Sequence, residues 1–199
     1  MKYEELQINL PPVITPRADG VHVKEIINAM AQEFGIWDRE SNPIWLEEAA
    51  QMGLAWEGFM IRRLRSVGTV LHRSIRETEG IWCSPDGYEQ VIESTIDGND
   101  TVKSNIIHEF KIKWMSVDKY PFEDTKWWDA IAQIKAYCHA WNTTNAVLHV
   151  LYVNGDYKFK NTITGFPARR HYRLTFTELE LQENWQQIIN FAKEKEIIK

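Results

Sequence analysis

The run Ile106-Ile107-His108-Glu109-Phe110-Lys111-Ile112-Lys113-Trp114 alternates polar and apolar side chains. A β-strand repeats every two residues, so this run reads as a strand with Glu109 and Lys111 on one face. The apolar flanks Ile106, Ile107 and Ile112 place that strand centrally in a sheet. A charged pair on a buried strand is expensive unless it is used. Upstream, Ser84-Pro85-Asp86-Gly87 sets a second carboxylate at the corresponding position of the preceding strand. Two carboxylates and an amine gathered on one face suit a divalent cation with water activated beside it, the chemistry of phosphodiester hydrolysis.

The rest of the chain organises around that strand. Residues 1–20 carry several prolines and little periodicity, an extended lead-in. Val21 to Phe34 has helical spacing and closes at Gly35. Ile44 to Val67 is a second helical stretch, with a break expected near Gly53. Gly80 to Ile96 reads as strand turned at Pro85-Asp86-Gly87, and Asp97-Gly98-Asn99-Asp100 as a hairpin turn into Thr101–Trp114. A loop with Pro121 follows. Thr125 is expected to cap a helix from Lys126 to about Trp141. Val147–Val153 is an apolar strand, ended by a turn at Asn154-Gly155-Asp156 that leads into Tyr157–Phe159, and His171–Phe176 is a further strand. Thr177-Glu178-Leu179-Glu180 is a capping box opening a C-terminal helix over about 177–199. The expectation is one α/β domain over residues 1–199, a central mixed sheet flanked by helices.

At 199 residues the chain can bury one sizeable core. Apolar content of 44% and charged content of 26% argue against disorder. No apolar run is long enough to cross a bilayer, and the N-terminus lacks a signal-peptide layout. Two cysteines, Cys83 and Cys138, provide neither a disulfide framework nor a cysteine-rich metal site. A cytoplasmic location is expected. The net charge of -5 gives no support to nucleic-acid binding. Basic residues nevertheless cluster at Arg62, Arg63 and Arg65, at Lys111, Lys113 and Lys119, and at Arg169, Arg170 and Arg173.

Each candidate site residue also has an ordinary reading. Asp86 in a Pro-Asp-Gly turn suits the backbone there without any function. Glu109 and Lys111 could be a surface ion pair. Gln133 and Tyr137, four apart on the helix after the strand, share a face that would pack on the sheet whatever its chemistry. In the functional reading Gln133 reaches a water and Tyr137 braces the site. Glu57, one turn before Arg62 and Arg63, could simply pair with one of them. Alternatively it adds a third carboxylate, with Arg62 or Arg63 holding a phosphate through bidentate contacts. The six histidines show no metal-ligand spacing, Ser84 has no His–Asp partner set, and no Gly-rich phosphate loop is present.

The ordered set Glu57, Asp86 in Ser-Pro-Asp-Gly, Glu109-Phe110-Lys111 and Gln133-Ile134-Lys135-Ala136-Tyr137 resembles the PD-(D/E)XK nuclease superfamily. Within it the chain is most similar to the phage-type recombination exonucleases, the YqaJ and lambda-exonuclease branch related to the RecB nuclease domain. The resemblance spans roughly residues 17 to 190. It implies a restriction-endonuclease-like core in which Asp86, Glu109 and the Phe110 carbonyl bind Mg²⁺ or Mn²⁺. Glu57 assists the metal, Lys111 acts in catalysis and Gln133 supports it. It further implies a 5′-phosphate contact at Arg17, a toroidal trimer and a single-strand annealing protein as partner; Arg62, Arg63 and Lys113 are further candidate phosphate contacts.

The expected activity is therefore metal-dependent hydrolysis of linear duplex DNA by an exonuclease serving phage recombination or DNA processing. An endonuclease on the same fold, acting on branched or single-stranded DNA, is the nearest alternative. A non-catalytic DNA- or protein-binding module is the alternative of another class.

Overall fold

A computed structural model describes residues 19–36, 43–94, 100–113, 125–153 and 168–198. Its elements run β1 (Val21–His22), α1 (Val23–Glu33), α2 (Pro43–Ser66), β2 (Arg76–Thr78), β3 (Ile81–Cys83), β4 (Gly87–Ser94) and β5 (Asp100–Lys113). They continue through a 3-10 turn (Thr125–Trp127), α3 (Trp128–Ala140), β6 (Asn145–Tyr152), β7 (Ala168–Thr175) and α4 (Glu178–Glu194).

The main sheet has the order β4-β5-β6-β7. The β4–β5 and β6–β7 pairs are antiparallel and β5–β6 is parallel, so the sheet is mixed. A parallel pair needs a long crossover, and α3 supplies it. A smaller sheet, β1-β3-β2, stands beside it. The α/β architecture expected from the sequence is the one observed.

Helices cover the two faces of the main sheet unequally. On one face α1, α3 and α4 pack together in the principal core, which holds Ile26, Ile27, Ile134, Trp141, Leu148, Val150, Trp185 and Ile188. On the other, α2 buries Trp56 and Met60 against Phe110 in a smaller cluster. Helix α4 starts as its sequence dictates. The Thr177 N–H donates to Glu180 Oε2 at 2.8 Å, and the Glu180 N–H donates to Thr177 Oγ1 at 3.2 Å.

Several boundaries depart from sequence expectation for identifiable reasons. Val21 and His22 are not helical; they pair in parallel with Ile81 and Trp82. Helix α2 runs unbroken through Gly53, because one glycine costs a helix only about 1 kcal/mol and neighbouring packing outweighs it. Thr125 opens the 3-10 turn, and Trp127 is the N-cap of α3 without a side-chain cap bond. The strand expected from Gly80 divides into β3 and β4, which belong to different sheets. The turns at 97–99 and 154–156, the Tyr157–Phe159 stretch, the loop at 116–124 and the lead-in up to residue 18 lie outside the described residues.

Candidate active site

Strand β5 outruns β4. Their last pair is Gly87 with His108, so the segment from Glu109 to Lys113 pairs only with β6. Asp86 sits one step beyond β4 in the same register, opposite Glu109. Its Oδ2 accepts the Phe110 N–H at 2.7 Å, replacing the carbonyl that a longer β4 would have offered. Pro85 has no N–H and helps end the pairing there. Gly87 sits at a close approach: a Cβ at that position would lie 3.2 Å from the Leu71 side chain, which would have to give by a few tenths of an ångström.

In the gap left by β4 lies a cleft of about 520 Å³, lined by Glu57, Arg73, Asp86, Glu109, Phe110, Lys111, Gln133 and Tyr137 among others. Glu109 is only 2% exposed. Its Oε1 accepts from Lys111 Nζ at 2.6 Å, while its Oε2 is buried without any hydrogen-bond partner among the described residues. Lys111 Nζ also donates to Gln133 Oε1 at 3.0 Å, and Gln133 Nε2 donates to the Tyr137 hydroxyl oxygen at 2.7 Å. Tyr137 thereby fixes the amide so that its oxygen faces the ammonium. Glu109 and Lys111 thus touch directly as well as sharing a face.

The electrostatics follow from this crowding. Burial, reinforced by the Glu109 charge, pushes the Asp86 carboxyl up to about 8, against the opposing pull of Lys111 and the Phe110 N–H. Burial raises the Glu57 pKa, Arg73 opposes that rise and Glu109 adds to it. For Lys111 burial acts to lower the pKa, but Glu109 and Asp86 overcome it and hold the amine above its ordinary value. Lys111 is therefore an ammonium at neutral pH, a donor rather than a base. Burial raises Tyr137 well above the ordinary phenol value, so it stays neutral.

A divalent cation fits these donors. Hard cations take oxygen ligands, and Mg²⁺ in particular uses one or two carboxylates and completes its shell with water and phosphate. The unsatisfied Glu109 Oε2 and the raised Asp86 carboxyl are oxygens that a cation would satisfy, with the Phe110 carbonyl carried by the same strand. Among the described residues no three acidic, histidine or cysteine side chains converge tightly enough to form a closed cage. An open site with two carboxylates is the arrangement present, and Glu57 is drawn instead to an arginine.

That arginine was not foreseen. The Glu57 Oε1 partner is Arg73 Nη2, from the segment after α2, and not Arg62 or Arg63. Arg62 and Arg63 are exposed on α2 and do not line the cleft. Lys113 also stays outside it, with Nζ 4.6 Å from the centroid of the Trp127 ring. Arg17 falls outside the described residues. Asp129 was missed as well. It lies one turn before Gln133 on α3, its Oδ1 is buried without a hydrogen-bond partner among the described residues, and its charge helps to hold Lys111 protonated. The spacing Asp129, Gln133, Tyr137 is visible in the sequence as one helix face.

No protein-family model matches the sequence, and no curated protein is significantly similar to it. Solved structures do match. The alkaline exonuclease LHK-Exo from Laribacter hongkongensis superposes with a TM-score of 0.55 over 89% of this chain and 89% of its own, at 15% identity. The same enzyme in complex with dAMP gives 0.52, 14% identity and the same coverage. The chain has the fold of an alkaline exonuclease. The mixed sheet flanked by helices is consistent with the fold of that exonuclease, whose identity to this chain is too low to transfer individual residues. Among the described residues no helix is long and apolar enough to cross a membrane.

Proposed function

We propose that this protein is a metal-dependent deoxyribonuclease that releases nucleotides from the ends of linear duplex DNA. The observation that carries the reading is the buried, unpartnered Glu109 Oε2 beside Asp86 and Lys111 at the floor of an open cleft. The likeness to an exonuclease whose structure holds dAMP supports a nucleotide in such a cleft.

Asp86, Glu109 and the Phe110 carbonyl would hold Mg²⁺ or Mn²⁺, with Glu57 within reach of the same space. Bound there, the ion supplies Lewis-acid stabilisation of the charge that builds on the phosphate. Lys111, held as an ammonium, donates to the attacking water or to a phosphate oxygen and offsets negative charge in the transition state. Gln133 keeps Lys111 aimed, and Tyr137 keeps Gln133 from rotating. A homotrimer and a single-strand annealing partner belong to the same reading; sedimentation of the purified chain, alone and with such a protein, tests them.

The experiment is nucleotide release from 5′- and 3′-labelled linear duplex and from closed circular DNA, with Mg²⁺ and with EDTA. Release from linear DNA alone, abolished by EDTA, by Asp86→Ala and by Lys111→Ala in folded variants, is expected. Cleavage of closed circles would reassign the protein as an endonuclease. Full activity in both variants would remove the site assignment, and DNA binding without any hydrolysis would make the protein a binding module.

A further inference from the structure

We propose that Arg73 is a phosphate-binding residue of the cleft, and that Glu57 occupies its guanidinium until nucleic acid arrives. The inference rests on the nuclease reading for the identity of its ligand, a phosphodiester of the DNA backbone. The lining of the cleft includes the side chains of Lys24, Arg73 and Lys111. Lys111 is committed to Glu109 and Gln133 at the floor, with 18% of its side chain exposed. Arg73 has 67% of its side chain exposed and, among the described residues, an Nη2 contact to Glu57, itself only 15% exposed.

That asymmetry is informative. Only the arginine end of this pair is exposed: Arg73 offsets the burial of Glu57 while most of its own side chain stays open to solvent. A guanidinium presents a planar fork of donors, and one N–H given to a carboxylate leaves others for a phosphate. Glu57 lies on the cleft-facing side of α2 with Ala49, Ala50, Gly53 and Leu54, and among the described residues no atom outside the local helix backbone lies within 4 Å of a Cβ built on Gly53. A phosphate entering the cleft meets Arg73 before it reaches Lys111. Bidentate contact would draw the guanidinium from Glu57 and leave that carboxylate facing the metal donors.

The test is equilibrium binding of a duplex oligonucleotide in EDTA across a salt series, for wild type, Arg73→Ala, Glu57→Ala and the double variant. Loss of one phosphate contact should lower the slope of log affinity against log salt by about 1 and weaken binding at low salt roughly tenfold or more. Glu57→Ala should tighten binding, because it frees Arg73, and that gain should vanish in the Arg73→Ala background. An unchanged salt slope in Arg73→Ala overturns the proposal, as does a wild type that binds no duplex. A gain from Glu57→Ala that persists without Arg73 shows plain charge repulsion and overturns the reserve role of Glu57. Because binding is read without metal, these outcomes are separate from those of the hydrolysis assay: a wild type that binds but never cleaves sinks the nuclease reading alone.

Discussion

The two faces of β5 are equally buried and opposite in character. On one, Glu109 is 2% exposed, and on the other His108 and His149 are each 3% exposed. The histidine face is a network of rings bonded to one another, with His108 Nε2 left without a hydrogen bond among the described residues. His108 Nδ1 lies 2.9 Å from His149 Nε2, and His149 Nδ1 lies 2.9 Å from His171 Nδ1, a chain of rings across β5, β6 and β7. Glu89 Oε2 approaches His108 Nε2 at 3.4 Å, and Phe110 stacks on His149 with centroids 4.8 Å apart. The Glu109 face leaves a carboxylate oxygen unsatisfied and crowds like charges around it. Burial of polar groups alone therefore does not mark a site. What separates the two faces is charge: burial lowers the pKa of His108, His149 and His171 and favours neutral rings that bond one another, whereas Glu109 lies among ionisable groups that interact strongly with it.

Removing the charge of Asp86 should separate the faces most sharply. Asp86→Asn keeps an acceptor for the Phe110 N–H but removes a carboxylate proposed to hold the cation, so on that proposal hydrolysis should fall about a thousandfold or more. Without metal the same variant should gain stability in alkali. The wild-type Asp86 carboxyl is raised to about 8, so its contribution is full below the ordinary 3.8 and is lost as pH climbs through about 8. Denaturant melts of the metal-free proteins between pH 5 and pH 9 should show that decline in wild type and a flatter curve in Asp86→Asn.

Gln133→Leu should cost ten- to a hundredfold in turnover, because it leaves Lys111 unaimed without touching a proposed cation ligand. Steady-state kinetics with intact circular dichroism checks this. On the opposite face His149→Leu should leave turnover within a few-fold but lower stability by about 1–3 kcal/mol, since His108 loses its buried partner. Burial, aided by His108 and His171, pushes His149 down to about 3, so its share of stability is present above the ordinary 6.5 and lost as pH falls toward 3. The variant should lack that acid limb, and an unchanged acid limb would contradict a neutral histidine network. Smallest of all, Thr177→Ala removes the α4 cap and should cost about 1 kcal/mol in chemical denaturation with no change in turnover.

The parts legible in the sequence were those with local causes. The period of β5, the face shared by Gln133 and Tyr137, and the Thr177 box each depend on residues a few positions apart. Strands β1 and β2 are too short to carry a pattern and exist only because β3 lies between them. The Glu57–Arg73 contact joins residues 16 apart across the end of a helix, where no periodicity links them. Arg62 and Arg63 satisfied the local spacing rule, and the turn of α2 sends them to solvent. The histidine chain was hidden for the same reason: His108, His149 and His171 meet only through strand register.

The Phe110 amide offers a direct view of this site. Its proton is held by the Asp86 carboxylate and not by a backbone carbonyl. Whatever draws on that carboxylate, a proton or a cation, must change how firmly the amide is held. The exchange rate and chemical shift of one backbone proton therefore report the loading of the site without substrate, label or substitution.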